Sequence, residues 1–196
     1  ARKPARRSVS IERVSCCEYA TFEPERCSTL AQRGRGLGCR HRNVPQPADD
    51  LARYVAARDD SFGWRELVSG KLGDVEYVEY LLTSQTWRGT PWKHQLFMLR
   101  PGGMQKDARQ GLLVVTGGSW KSEYDGERKE ADLPVQALLF AQLAKKLGTP
   151  VGVLRQVPFQ PMFDLKEDAL IAYTFDQYLQ TGESNWPLLL PMVKST

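Results

Sequence analysis

The sequence predicts an α/β domain in which an antiparallel strand pair leads into a β-α-β-α unit, all of it behind a basic N-terminal arm. Three observations carry this. Residues 75–99 hold two runs rich in β-branched and aromatic side chains, split by Gly89-Thr90-Pro91, which reads as two strands joined by a short turn. Residues 112–116 and 151–157 are short apolar runs on either side of a leucine-rich segment, the pattern of two buried parallel strands with a helix between them. The first 48 residues show neither period.

That first segment holds ten basic and four acidic side chains, whereas the rest of the chain holds seventeen and nineteen. The basic character therefore belongs to residues 1–48, and residues 49–196 form a mildly acidic body. Arg2, Lys3, Arg6 and Arg7 cluster at the start, Arg33 to Gly38 add a glycine-rich basic stretch, and Pro45 and Pro47 close the segment. A disordered, solvated extension is expected. A nucleic-acid arm is the competing reading, since Arg/Gly runs bind phosphate backbones; the scarcity of aromatics for base stacking argues against it. All four cysteines (Cys16, Cys17, Cys27, Cys39) also lie here, so the body has no disulfide framework. Their spacing matches no paired zinc or redox motif. Cys39 and His41 could ligate a metal, but without a second pair no metal site is expected.

The body begins near Asp50, where Leu51, Tyr54 and Val55 recur at helical spacing, predicting a short helix. Gly70, Gly73 and Asp74 then punctuate the chain. Val75 to Trp87 is the first expected strand. The second, from Trp92 to Leu99, places Trp92, His94, Leu96 and Met98 on one face. After the strand at 112–116, a helix is expected over 133–147, capped by Asp132 with Pro134 in its first turn. Its expected buried stripe is Val135, Leu138, Leu139, Leu143 and Leu147. Gly148 suits the left-handed C′ position, and Pro150 stops continuation. A further helix over 165–180 is expected behind Asp164 and Glu167 at capping-box spacing, ending at Gly182. Trp186 to Val193 reads as a helix entry with Pro191 in its first turn.

A strand pair feeding β-α-β-α is the order of elements at the front of an α/β-hydrolase. No G-x-G-x-x-G follows the 112–116 strand and no P-loop is present, so neither nucleotide motif applies. No apolar run approaches the roughly 20 residues that span a bilayer, and no cofactor motif is read. The chain starts at Ala1 and lacks a signal peptide's apolar segment; a fragment or processed product is the expectation.

Several strings are more specific. Thr83-Ser84-Gln85-Thr86-Trp87, Trp92-Lys93-His94, Thr116-Gly117-Gly118, Gln160-Pro161-Met162-Phe163-Asp164, Glu167 to Phe175, and Trp186 to Ser195 resemble the PhoPQ-activated pathogenicity-related protein family. The resemblance runs from about Leu51 to the last residue. It implies an α/β-hydrolase-like fold and an exported, secreted or periplasmic protein. It further implies hydrolysis of an ester or amide bond if the whole protein supplies a triad, with a small molecule or peptide as substrate. A non-catalytic secreted binding or signalling protein on the same fold is the alternative. In the family a segment like Trp186–Ser195 is followed by a strand and a Gly-x-Ser-Lys-Arg-Gly turn, the counterpart of the nucleophile elbow. By that resemblance the nucleophile, acid and histidine fall after Thr196, and no catalytic residue is assigned within the chain.

What the resemblance places inside the chain is the turn after the 112–116 strand. Gly117, Gly118 and Ser119 are the oxyanion-loop candidates. The plainer account is a tight strand exit that needs glycine, favoured because Trp120 and Lys121 crowd the position. His94, one of two histidines, is expected as a hydrogen-bonded core residue, not a catalyst. Asp164, Glu167 and Asp168 are expected to serve the helix start, and the tryptophans to pack the core. In the usual hydrolase order the 112–116 strand is paired on both sides. Residues 1–196 alone would leave one edge open, and poor solubility is expected.

Overall fold

The computed structural model describes residues 47–104, 109–127 and 129–196. The expected disorder of the arm, together with Cys39 and His41, lies outside the described residues. The described chain runs α1 (Pro47–Ala56), β1 (Gly63–Leu72), β2 (Val75–Trp87), β3 (Thr90–Pro101), β4 (Leu112–Val115), α2 (Ala137–Leu147), β5 (Val151–Leu154), α3 (Glu167–Thr181) and α4 (Leu189–Lys194). The five strands form one mixed sheet in the order β1-β2-β3-β5-β4. β3 and β5 are antiparallel, while β5 and β4 are parallel.

The expected antiparallel pair is a three-stranded meander. β1 escapes sequence reading because it is an edge strand carrying Arg65, Glu66, Ser69, Gly70 and Lys71, with no clean apolar alternation. Gly70 stands opposite Tyr77 in the register. A Cβ there would lie 2.6 Å from the Tyr77 hydroxyl, so the glycine leaves room for the ring. The turn between β2 and β3 is Arg88-Gly89, both with positive φ (50° and 75°), as a tight hairpin turn demands. Arginine is an unusual occupant. Its guanidinium lies 3.8 Å from the centre of the Trp186 ring and donates to Glu183 and Asn185 at 2.9 and 2.6 Å, contacts that hold the turn.

Strand alternation sends the side chains of β3 to two cores. Phe97 and Leu99 join Val75, Val151, Val153, Ala141 and Ala144 in one. Trp92 joins Trp87, Met162, Leu170 and Leu188 in the other. Helices thus cover both faces, with α2 on the first and the α3–α4 region on the second. A register shift in β2 between Thr83 and Gln85 puts Gln85 opposite Trp92, so Gln85 and Trp87 face the second core.

α2 corrects the reading of its own sequence. It starts at Ala137, after a turn in which the Ala137 N–H donates to Pro134 O, and Asp132 instead receives Arg155. The buried residues are Ala137, Ala141 and Ala144, whereas Val135 is 97% exposed and Leu138, Leu139 and Leu147 are also exposed. Small side chains at i, i+4 and i+7 let the helix sit close to β3 and β5, which larger leucines would prevent. In α1, Tyr54 turns inward while Leu51 and Val55 stay exposed. Gly148 and Gly182 do take left-handed C-terminal positions, with φ of 62° and 71°. Pro191 is the third residue of α4, within the first turn.

At the sheet edge, Leu113 and Val115 on β4 are 44% and 43% exposed, and among the described residues β4 pairs on one side only. An unpaired apolar edge recruits other chains. We expect residues 1–196 expressed alone to partition into the insoluble fraction and Val115→Lys to raise the soluble yield. A cooperative monomeric melt of the unsubstituted chain would contradict this.

Candidate functional site

The loops leaving β4 and β5 meet at the carboxyl ends of these two parallel strands, where open α/β sheets place their ligands. Backbone bonds lace them together: Gln156 N–H donates to Gly117 O at 3.3 Å, Val157 N–H to Thr116 O at 3.2 Å, and Trp120 N–H to Gln160 O at 2.6 Å. Gly118 has φ +121° with open space beside it, a conformation L side chains rarely adopt. Among the described residues, the N–H groups of Gly118 and Ser119 meet no acceptor. The Gly117–Ser119 turn therefore presents two adjacent donors.

Gln160, which the sequence reading did not single out, organises this corner. Its side chain is fully buried. Nε2 donates to Glu167 Oε1 at 2.7 Å and to Gly118 O at 3.3 Å, while Oε1 accepts the Glu167 N–H at 2.8 Å. This replaces the expected capping box. Asp164 makes no cap, Lys166 is the N-cap residue without a side-chain bond, and Gln160 closes the first turn of α3 from seven positions upstream. Glu167 and Asp168 do occupy that first turn, where the helix dipole favours negative charge. No local spacing signals a cap supplied from such a distance.

A second polar cluster lies between β2, β3 and α4. His94 is fully buried. Its Nδ1 lies 3.2 and 3.1 Å from the carbonyl oxygens of Arg155 and Gln156, which only accept, so Nδ1 carries the proton. Nε2 then accepts from Ser84 Oγ at 2.9 Å. Ser84 Oγ is 3.0 Å from Ser195 Oγ, which also reaches Pro191 O at 2.8 Å. Gln85 Nε2 donates to Pro191 O and Ser195 Oγ, and Gln85 Oε1 accepts from Tyr54 at 2.8 Å. Burial lowers the His94 pKa to about 4 against the weaker pull of the two carbonyls. Burial likewise raises the Tyr54 hydroxyl to about 12.

The Ser84–His94 pair has the distance of a catalytic dyad but not its setting. Both residues are buried and the histidine's other nitrogen is spent on backbone carbonyls, with no carboxylate there. His94 is a hydrogen-bonded core residue, as its place on an apolar strand face suggests. Trp87 and Trp92 are likewise core, whereas Trp64 is exposed against Phe62. Two clefts, of about 450 Å³ beside Gly102 and Lys145 and about 180 Å³ beside Tyr54 and Asn185, do not include the Gly117–Ser119 turn. Among the described residues no three His, Cys, Asp or Glu side chains are grouped to hold a metal. No described helix is long and apolar enough to cross a membrane.

No curated protein and no solved structure matches the chain. A family model does: that of the PhoPQ-activated pathogenicity-related proteins matches residues 51–196, which takes in nearly every described element from α1 to α4. With most of its length matched and the quoted strings set on this sheet and its loops, the chain belongs to the PhoPQ-activated pathogenicity-related protein family.

Proposed function

We propose that this chain forms the front of a hydrolase-like domain acting on an ester or amide bond, with Gly117, Gly118 and Ser119 as its oxyanion loop. The observation that carries the reading is the pair of unengaged N–H groups on Gly118 and Ser119, at the carboxyl end of β4. Donors so placed stabilise charge developing on an acyl oxygen, and fixed backbone donors need no reorganisation as it forms. The strand order supports it: β3, β5 and β4 lie in the sequence expected of a hydrolase sheet, antiparallel then parallel. The nucleophile, acid and histidine are assigned to the sequence that the family resemblance places after a segment like Trp186–Ser195.

The full-length gene product should release p-nitrophenol from short-chain esters and take up a serine-directed fluorophosphonate label. Absence of both would remove the hydrolase reading and leave a binding role for the same fold. Given activity, Gly118→Ala should lower kcat by about 100-fold, the scale of one oxyanion donor. The added Cβ is strained at this φ and turns the peptide away. Steady-state kinetics on the purified variant would measure this, and an unchanged kcat would separate the turn from the chemistry.

A further inference from the structure

We propose that Gln160 is a positioning residue: its amide fixes the orientation of the Gly118–Ser119 peptide, so that the Ser119 N–H points away from the protein and toward substrate. The proposal rests on the oxyanion-loop reading of that turn for its catalytic meaning, but its geometry stands by itself.

In a trans peptide the carbonyl and the following N–H point in opposite directions. The Gly118 carbonyl is held by Gln160 Nε2, and the Trp120 N–H, one donor beyond the Ser119 N–H, is held by the backbone carbonyl of Gln160. Two groups of the turn thus face Gln160, one on each side of the Ser119 N–H in the chain. The Ser119 N–H lies in the same peptide plane as the Gly118 carbonyl, so it faces the other way. It meets no acceptor among the described residues.

Gln160 can hold this orientation because it is itself held. It is fully buried, and its side chain is pinned on both ends by Glu167, through the 2.7 Å bond to the carboxylate and the 2.8 Å bond from the backbone. Nε2 has two protons: one goes to Glu167 and the other is left for Gly118. A glutamine is suited to this place, since it offers a donor pair and an acceptor on one rigid plane. Gly118 contributes the complementary property: without a Cβ, either orientation of its flanking peptides is open to it. A neighbour is therefore needed to choose one. Helix capping alone would require only the Oε1 contact to the Glu167 N–H; the bond to Gly118 has no part in it.

The test separates these roles. Gly-Ser occurs once in the 196 residues, at Gly118-Ser119. Labelling the full-length gene product with 13C-carbonyl glycine and 15N-serine restricts the amide signals to Gly-Ser peptides, and the signal lost in Ser119→Ala is that of Ser119. In Gln160→Met, which keeps length but removes both donor and acceptor, the Ser119 signal should shift and its solvent exchange should slow or become heterogeneous. On an ester substrate kcat should fall by about 100-fold with KM within about twofold, the pattern of an interaction made in the transition state. Should Gln160→Met fail to fold, Glu167→Gln loosens the anchor while sparing Gln160, and the same two readouts should move in the same direction to a smaller extent. An unmoved Ser119 signal in a folded variant overturns the proposal. A moved signal in a protein that hydrolyses nothing even as wild type keeps the clamp and overturns the hydrolase reading.

Discussion

Between pH 6.5 and pH 4 the protein should lose about 3 kcal/mol of folding stability through His94 alone. In the folded state burial holds its pKa at about 4, against an ordinary value of 6.5. The unfolded chain therefore binds a proton first as pH falls, and each step down through this window favours unfolding. Above pH 6.5 the residue is neutral in both states and its contribution is constant; below pH 4 it is charged in both and the loss is complete. No charged side chain contributes to the shift. The Ser84–Ser195 chain can reverse its hydroxyls to accept from a protonated Nε2, since Ser195 has Pro191 O as a second acceptor. That leaves desolvation as the remaining cost. Urea midpoints of the full-length gene product at half-unit pH steps would show the slope. His94→Gln should be less stable at pH 7 by about 1–3 kcal/mol yet nearly flat through the same window. A variant retaining the wild-type slope would assign it to another group. Asp59 acts lower: burial pushes its pKa up, but hydrogen bonds from Ser61 and Thr86 outweigh this and hold it below 3.8, so its stabilisation is lost only as pH falls further.

Trp92→Ala should cost about 3–5 kcal/mol, the range for truncating a buried tryptophan. Trp92 is 0% exposed and meets Trp87 edge-on at 5.8 Å between ring centres, in the core that also holds Leu170 and Leu188. Small domains have total stabilities of about 5–15 kcal/mol, so this loss would threaten folding at 37 °C. Its indole N–H offers an internal control, because it is buried without a hydrogen-bond partner. Trp92→Phe removes that unsatisfied donor along with part of the ring, and should cost less than about 2 kcal/mol. Equal losses in the two variants, read from denaturant midpoints at constant slope, would show that the packing account is incomplete.

The residues differ in how openly they state their places. β2 and β3 are legible because Val75 to Leu99 alternates β-branched and aromatic side chains about an Arg-Gly turn, so local propensity and burial agree. β1 is hidden because an edge strand tolerates exposed Arg65, Glu66 and Lys71, which break the apolar alternation. In α2 the leucines, weighted by hydrophobicity, point to the wrong face; Ala137, Ala141 and Ala144 are inside because closeness of approach outweighs side-chain size. The Gly117–Ser119 turn is visible as a glycine pair after an apolar strand, while the Gln160 clamp is not: it depends on where two loops meet. Ser84, Gln85 and Ser195 carried a faint signal, as polar residues in otherwise buried runs, but their partners are tertiary.

The Ser84–Ser195 bond joins residues 111 positions apart, and that separation sets a clock for synthesis. At about 5–20 residues per second, a ribosome that has made Ser84 needs on the order of 5–20 s more to deliver Ser195. Throughout that wait the polar groups of Ser84 and Gln85 must stay hydrated, and the Trp87–Trp92 pair lacks the cover of Leu188. The second core therefore closes late and from one side, as α4 emerges, whereas the β2–β3 hairpin can zip within its own length. A nascent chain stalled before Leu188 should expose its tryptophans to chaperones; one carried past Ser195 on a linker that clears the ribosome exit tunnel should not.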